Sequence, residues 1–209
     1  MRATEIRRSL LQAAGFVLLI LALTAFPRPS AAQQPNQSQE DGIVALQEGD
    51  PSERAALRDR MFSALAEAPN EAVAQFVSAR IWLFWFQAPD AEAAGLMRDA
   101  LARRNAGDVA GSIAMLDRLV AAAPGWAEAW NQRATMRFLA QDFEGSLADI
   151  DEVLPLEPKH FGALSGQAMI LRHLGRNEEA QSVLKEAVKI NPFLADRALL
   201  EPEPEERDI

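Results

Sequence analysis

The sequence predicts an all-α fold made of stacked helix pairs, and three observations support this prediction. Prolines return at a fixed interval of 34 residues, at Pro124, Pro158 and Pro192. The residues between them repeat one order of large and small side chains at helical spacing. No segment shows the alternation of apolar and polar residues that is typical of a half-buried strand. Together these features indicate a helical repeat array.

The repeat is clearest when residues 93–194 are set out as three rows of 34, namely 93–126, 127–160 and 161–194. Positions 4 and 24 of each row are large, and positions 8 and 20 are small. In row order these residues are Leu96, Trp130 and Leu164; Leu116, Ile150 and Leu184; Ala100, Ala134 and Ala168; Ser112, Ser146 and Ala180. A large and a small residue four apart share one helix face, so each row predicts two closely packed helices. One such pair cannot bury its apolar face alone, and the rows must therefore stack.

This pattern resembles the tetratricopeptide repeat (TPR) family, whose period is also 34 residues. The middle row is the best match, through Trp130, Ala134, Ser146, Ile150 and Pro158. Position 11, aromatic in the family, is instead Arg103 and Arg137 in the first two rows. We expect these arginines either to snorkel to the surface or to pair with acids on the second helices, such as Asp117 or Asp151. The resemblance implies a right-handed α–α superhelix of about three repeats.

Two further segments flank the array. Residues 50–88 predict an N-terminal helical hairpin outside the 34-residue register, because Asp50 to Glu53 form a capping box and Pro69–Asn70 begin a second helix. After Pro192, the stretch "FLADRALL" predicts a capping helix. Its end and an acidic tail occupy residues 195–209.

The hairpin contains an unusual run, "IWLFWF", from Ile81 to Phe86. The favoured interpretation is a helix buried on most of its surface between the hairpin and the first repeat. The alternative is an exposed aromatic patch for a partner, a dimer or a membrane surface.

Residues 1–32 have the features of a signal peptide. Arg2, Arg7 and Arg8 precede an apolar run over 13–26, and the small residues "SAA" follow it. We expect cleavage after Ala32, a flexible leader over 33–49, and a periplasmic or secreted protein. Combined with the resemblance, this predicts an exported bacterial member of the family. The alternative is an uncleaved anchor in the inner membrane.

Composition and motifs argue against several function classes. The chain has no cysteine and a net charge of −9, which disfavours thiolate chemistry, nucleic acid and anionic lipid as partners. His160 and His173 have no carboxylate cluster at metal-ligand spacing. "SVLK", from Ser182, matches the S-x-x-K motif of penicillin-binding enzymes, but its partner motifs are missing. We therefore expect no enzymatic activity, no metal and no cofactor, and membrane contact only through an uncleaved N-terminus.

The resemblance also implies a binding surface, because TPR arrays hold peptides on a concave face lined by the first helix of each repeat. By helical spacing, positions 5, 9 and 12 face this groove. They are Met97, Leu101, Arg104, Asn131, Thr135, Phe138, Ser165, Met169 and Arg172. The carboxylate clamp of chaperone-associated members is missing, since its places hold Met97, Leu101, Gln132, Gly162 and Gly166.

The functional prediction is a non-enzymatic scaffold of the bacterial cell envelope that binds a protein or peptide segment in the groove. The alternative is a membrane-tethered subunit of an assembly factor.

Overall fold

A computed structural model describes residues 50–201, and this part of the chain is all-helical. The expected signal peptide (1–32), leader (33–49) and the end of the acidic tail lie outside these residues. The helices are α1 (Pro51–Ala66), α2 (Glu71–Trp85), α3 (Ala91–Asn105), α4 (Val109–Ala122), α5 (Ala127–Leu139), α6 (Phe143–Leu156), α7 (Phe161–His173), α8 (Asn177–Ile190) and a 3-10 helix (Ala195–Leu199). None of the helices within 50–201 is both long enough and apolar enough to span a membrane.

Local sequence explains where the helices begin and turn. The side chains of Asp50, Asn70 and Asp90 accept hydrogen bonds from backbone N–H groups at the starts of α1, α2 and α3. Asp108 and Asp142 do the same for α4 and α6. Between the two helices of each repeat, position 15 has a positive φ, at Gly107 (78°), Gln141 (63°) and Gly175 (78°). Each repeat thus uses the same left-handed turn, although only two of the three carry the glycine that favours it.

The small residues at positions 8 and 20 bring the paired helices together. Ser112 Oγ donates to the Ala100 carbonyl at 2.9 Å, and Ser146 Oγ donates to the Ala134 carbonyl at 2.7 Å. All four residues are buried. A larger side chain at either position would push the helices apart, which is the physical reason for the repeated small residue. The predicted α–α repeat fold is confirmed.

The arginines at position 11 do pair with acids, but the expected acids are wrong. Arg103 binds Asp108 at 2.8 Å, and Arg137 binds Asp149 at 2.9 Å. Asp117 instead contacts Arg133 at 2.9 Å, and Asp151 is exposed. Position 11 lies in the last two turns of the first helix, close to the start of the second helix. The arginines therefore meet acids near the start of that helix, at its N-cap (Asp108) or in its first half (Asp149).

Trp130 is only half-buried, although it fills the large position of the best-matching row. It packs beside the core residues Ala134 and Ile150. Its Nε1 donates to the Pro124 carbonyl at 2.9 Å, and the Arg133 guanidinium lies 4.8 Å from its ring. The indole therefore covers the junction between the first two repeats.

The N-terminal hairpin contributes to the core of the third repeat. One hydrophobic cluster joins hairpin residues to repeat residues: Met61, Phe62, Leu65, Ala74, Ile81 and Trp85 with Phe161, Leu164, Ala168, Leu184, Ala187 and Leu194. The expectation that the aromatic run lies between the hairpin and the first repeat is largely wrong, because Ile81, Trp82, Phe84 and Trp85 pack in the cluster of the third repeat. The first repeat is contacted by Phe86, which packs against its cluster, and by the Trp85 carbonyl, which accepts from Trp126 Nε1. The run is also not buried all round, since Leu83 is 60% exposed.

The C-terminal segment covers the third repeat, on which the hairpin also packs. Leu194 is buried in the same cluster, and the 3-10 helix follows it at once. Ser165 donates to Asp196, and Gln181 Nε2 donates to the Leu199 carbonyl at 3.0 Å. A short 3-10 helix therefore covers the last repeat, at the place where sequence predicted a capping helix.

Candidate functional site

The nine predicted groove residues lie on α3, α5 and α7, and they differ in accessibility. The position-5 residues Met97, Asn131 and Ser165 are buried. Of the residues at positions 9 and 12, Arg172 is exposed. The other five are half-buried, namely Leu101, Arg104, Thr135, Phe138 and Met169. The reachable part of the predicted groove therefore consists of positions 9 and 12.

Each position-5 residue is covered by a specific neighbour. Met97 belongs to the core cluster of the first repeat. Asn131 donates to the Glu128 carboxylate at 3.3 Å, and Ser165 is held by Asp196 of the 3-10 helix. The side chains at position 5 therefore lie beneath the accessible surface, where they already have partners inside the chain.

A buried polar network, centred on Glu128, connects the first helices. The Glu128 side chain is fully buried and accepts from Gln132 Nε2 at 2.6 Å and from Asn131. His160 Nε2 lies 3.1 Å from Glu128 Oε2. His160 Nδ1 accepts a hydrogen bond from the Ala163 backbone N–H at 3.1 Å, so the ring proton lies on Nε2. Nε2 therefore donates a hydrogen bond to Glu128. The buried carboxylate therefore has three donors, which offset its loss of hydration.

Arg104 forms the accessible end of this network. Its Nη1 donates to Gln132 Oε1 at 3.1 Å. Burial lowers the pKa of Arg104 from its ordinary value, and the nearby Glu128 carboxylate partly opposes that shift. Arg104 has no carboxylate within ion-pair distance among residues 50–201, so its charge is compensated only at longer range.

A second accessible region lies on the third repeat. A shallow depression there is lined by Met169, Arg172, Gln181, Asp196 and Leu199, among others. It offers an exposed guanidinium beside a flexible thioether and apolar carbons. Such a surface is suited to recognition of a side chain or a carboxylate.

The hairpin lies across the junctions between repeats, through residues at equivalent positions. Position 31 is Glu157 in the second repeat and Asn191 in the third. Glu157 accepts from Trp85 Nε1 at 3.3 Å, and Asn191 Nδ2 donates to Ser78 Oγ at 3.3 Å. At position 34, Trp126 Nε1 donates to the Trp85 carbonyl at 2.7 Å.

The hairpin also explains a small residue that the sequence left without a reason. A Cβ at Gly162 would lie 2.6 Å from the ring of Trp82, so only glycine permits this contact. Trp82 packs edge-on against both His160 and Phe161. The hairpin therefore fixes the N-terminal end of α7, beside the Glu128 network.

Sequence reasoning missed Glu128 and His160 as members of the site and treated Gln132 only as a departure from the clamp. The one feature of the sequence that could have indicated them is that Glu128, Gln132 and His160 are polar residues at positions 2, 6 and 34 of a row with an otherwise apolar helix pattern. Within residues 50–201 every buried side-chain nitrogen and oxygen has a hydrogen-bond partner. No group of three or more potential metal ligands occurs in the described part of the chain.

Comparison with known proteins gives the family. No protein-family profile matches the chain. A TPR repeat-containing protein of Rhizobium etli is 31% identical over 183 residues, covering 88% of this chain and 86% of the relative.

Two solved structures are similar to the chain in fold. The TPR2B domain of yeast Sti1, in complex with pHsp70, matches with a TM-score of 0.48 at 14% identity, covering 51% of this chain and 88% of that domain. The crystal structure of MamA matches with a TM-score of 0.46 at 15% identity, covering 48% of this chain, and the chain spans only 58% of MamA. The repeat pattern, the helical architecture and the 31% identical relative agree, and the chain belongs to the TPR repeat-containing proteins.

Proposed function

We propose that this chain is a non-enzymatic protein–protein interaction scaffold that binds an acidic peptide segment across its first helices. The TPR fold supports the scaffold role. The observation that favours an acidic segment is the pair Arg104 and Arg172. Neither forms an ion pair with another residue of 50–201, although the chain carries 30 acidic residues.

The two arginines differ in their environments, because Arg104 is half-buried and hydrogen-bonded whereas Arg172 is exposed. Arg104 is oriented by Gln132, which is itself held by the buried Glu128. Arg172 stands free at the rim of the third-repeat depression. A carboxylate brought to Arg104 would form a charge-assisted bond in a half-buried setting, where such bonds are strongest. Phe138 and Met169 offer apolar contact for the segment's other side chains.

The test uses a phage-displayed library of random peptides selected on the immobilised full chain. We expect enriched peptides to carry aspartate or glutamate at one or two fixed positions. Replacement of both arginines, Arg104→Gln with Arg172→Gln, should lower the affinity of the chain for these peptides by about 10-fold or more, because charge-assisted bonds are lost.

The matched control neutralises two basic residues of the second helices, Arg118→Gln with Lys185→Gln. This pair changes the net charge equally and should leave peptide affinity unchanged. If the control pair removes binding and the groove pair does not, the assignment to the first helices is wrong.

We also propose that the chain acts in the bacterial cell envelope after export. The support is the sequence pattern of residues 1–32, with basic residues, an apolar run and "SAA" before Gln33. Expression in a bacterial host followed by N-terminal sequencing of the envelope fraction should give a chain that begins at or near Gln33. Recovery of Met1 in the membrane pellet would instead favour the second candidate, a membrane-tethered assembly-factor subunit.

A further inference from the structure

The chain leaves its last helix beside the third-repeat depression. Leu199 ends the 3-10 helix and lines this depression together with Arg172 and Gln181. Gln181 holds the chain at two successive points, because its Nε2 donates to the Leu199 carbonyl at 3.0 Å and its Oε1 accepts from the Glu201 N–H at 2.9 Å. The residues that follow Glu201 therefore start beside the depression, next to one part of the site proposed above.

Those residues belong to a strongly acidic segment. Residues 201–209, EPEPEERDI, carry five acidic residues and one arginine, a net charge of −4, and we call them the acidic tail. An extended chain advances by about 3.3–3.6 Å per residue, so Glu203 and Glu205 follow Glu201 by at most about 7 Å and 14 Å. Because Gln181 and Arg172 line the same depression, these carboxylates can reach Arg172.

The depression offers the tail a cation and apolar carbon. Arg172 is its exposed cation, and no carboxylate of residues 50–201 forms an ion pair with it. The one acid among the lining residues is Asp196, whose carboxylate already accepts from the Ser165 hydroxyl. Met169 and Leu199 supply apolar carbon on which proline rings can pack. A tail carboxylate would therefore give Arg172 a charge-assisted hydrogen bond, with apolar contact beside it.

Local sequence favours an extended form of the tail. Leu200, at the end of the 3-10 helix, has a φ of −66° and a ψ of 130°, which is extended backbone. Pro202 and Pro204 disfavour the helical conformation at the glutamates that precede them. A proline-containing segment of this kind already favours the extended polyproline II form, so it loses less conformational entropy when it binds.

We propose that the acidic tail is an intramolecular ligand of the third-repeat depression, where its carboxylates pair with Arg172 and exclude acidic peptides. This inference rests on the proposed function, since it takes Arg172 as a contact for an acidic segment. The attachment at Glu201 gives the tail an effective concentration on the order of 1 mM at the depression. If the tail binds with a Kd of about 0.1 mM, it occupies the depression about nine-tenths of the time and weakens a competing peptide by about 10-fold.

Binding of a labelled copy of the tail tests this competition. The probe is the fluorescein-labelled peptide EPEPEERDI, and fluorescence anisotropy measures its affinity for the full-length chain. The tail variant neutralises four acids, namely Glu203→Gln, Glu205→Gln, Glu206→Gln and Asp208→Asn. It should bind the probe about 10-fold more tightly than the native chain does. Adding Arg172→Gln to this variant should remove the gain, whereas adding Lys185→Gln on the second helix should keep it.

A matched control separates competition from overall charge. It neutralises four exposed acids outside the depression, namely Glu67→Gln, Glu144→Gln, Asp151→Asn and Glu152→Gln. This control changes the net charge of the chain by the same amount as the tail variant does. It should bind the probe as weakly as the native chain. An equal gain in affinity in both variants would mean that general charge repulsion had been relieved, and the proposal would be wrong.

A nitroxide label measures docking without any added peptide. The native chain has no cysteine, so full-length Ile209→Cys carries a single label. The label should broaden the NMR signal of the Met169 backbone amide, and Arg172→Gln should abolish most of this broadening. Broadening that persists in Arg172→Gln would come from the nearby attachment of the tail alone and would contradict docking on Arg172. Broadening between labelled and unlabelled copies in a mixed sample would assign the occupant to a second copy, which would also overturn the proposal.

The outcomes separate this inference from the proposed function. If acidic peptides from the library selection bind the native chain and the tail variant with equal affinity, the proposed function stands and the tail does not occupy the site. If acidic peptides bind neither chain, the proposed function fails, and the tail loses its role as a competitor with it. Tighter binding by the tail variant, lost again on Arg172→Gln, supports both.

Discussion

The indole of Trp85 stacks on the imidazole of His160, with ring centroids 3.9 Å apart and planes within 8°. Trp85 belongs to the N-terminal hairpin, whereas His160 ends the second repeat. The same indole donates to Glu157, and the Trp85 carbonyl accepts from Trp126. One residue of the hairpin therefore contacts two successive repeat junctions.

Replacement of Trp85 tests how strongly the hairpin holds the array. Trp85→Ala removes a buried side chain and leaves a cavity against His160 and Phe161, so it should lower the free energy of unfolding by about 3–5 kcal/mol. Urea denaturation followed by circular dichroism measures the change. Phe76→Ala, on the exposed face of α2, is the control and should stay within about 0.5 kcal/mol. Equal effects would show that the hairpin does not dock as described.

Glu128 should be essential to the stability of the polar network. Glu128→Ala leaves the donors of Asn131, Gln132 and His160 without their acceptor, and we expect a loss of about 3 kcal/mol. Glu128→Gln keeps the shape and one acceptor oxygen and should cost less. Thermal melting of both variants, beside exposed Glu152→Ala, gives the comparison. If Glu128→Ala melts like Glu152→Ala, the network contributes no net stability.

Asp149 joins two arginines within the second repeat. Its buried carboxylate accepts from Arg133 Nη2 at 2.7 Å and from Arg137 Nη1 at 2.9 Å. Asp149→Ala should destabilise the chain by about 2–3 kcal/mol, because both guanidinium groups lose a charge-assisted bond in a half-buried site. Asp151→Ala, on the exposed side of the same helix, should have almost no effect. A denaturant midpoint that shifts equally in both variants would contradict this assignment.

Gln141 offers a stabilising substitution. It holds a φ of 63° at the turn position where the other two repeats have glycine. Gln141→Gly should remove the energetic cost of a left-handed backbone conformation at a non-glycine residue. The greater flexibility of glycine in the unfolded chain offsets part of this effect, and the free energy of unfolding should still rise by about 0.5–1 kcal/mol. The melting temperature should rise, whereas Gly107→Gln should lower it. A fall on Gln141→Gly would mean that the glutamine side chain stabilises the turn by a contact of its own.

The sequence by itself determined the repeat, the all-α fold and most helix starts. These features depend on interactions between residues close in the chain. Asp90, Asp108 and Asp142 cap helices within three residues of themselves, and the small residues at positions 8 and 20 lie on faces that helical spacing already defines. A period of 34 residues makes the same local solution visible three times.

Only the tertiary structure decided which surfaces are open and which are covered. Helical spacing placed Met97, Asn131 and Ser165 on the groove side, but neighbours such as Asp196 bury them. It also gave no partner for Trp85, because His160 lies 75 positions further along the chain. Such contacts are set by how whole helices stack, and a periodic pattern carries no information about that docking. The hairpin lies outside the 34-residue register, so its packing on the third repeat could be learned only from the folded chain.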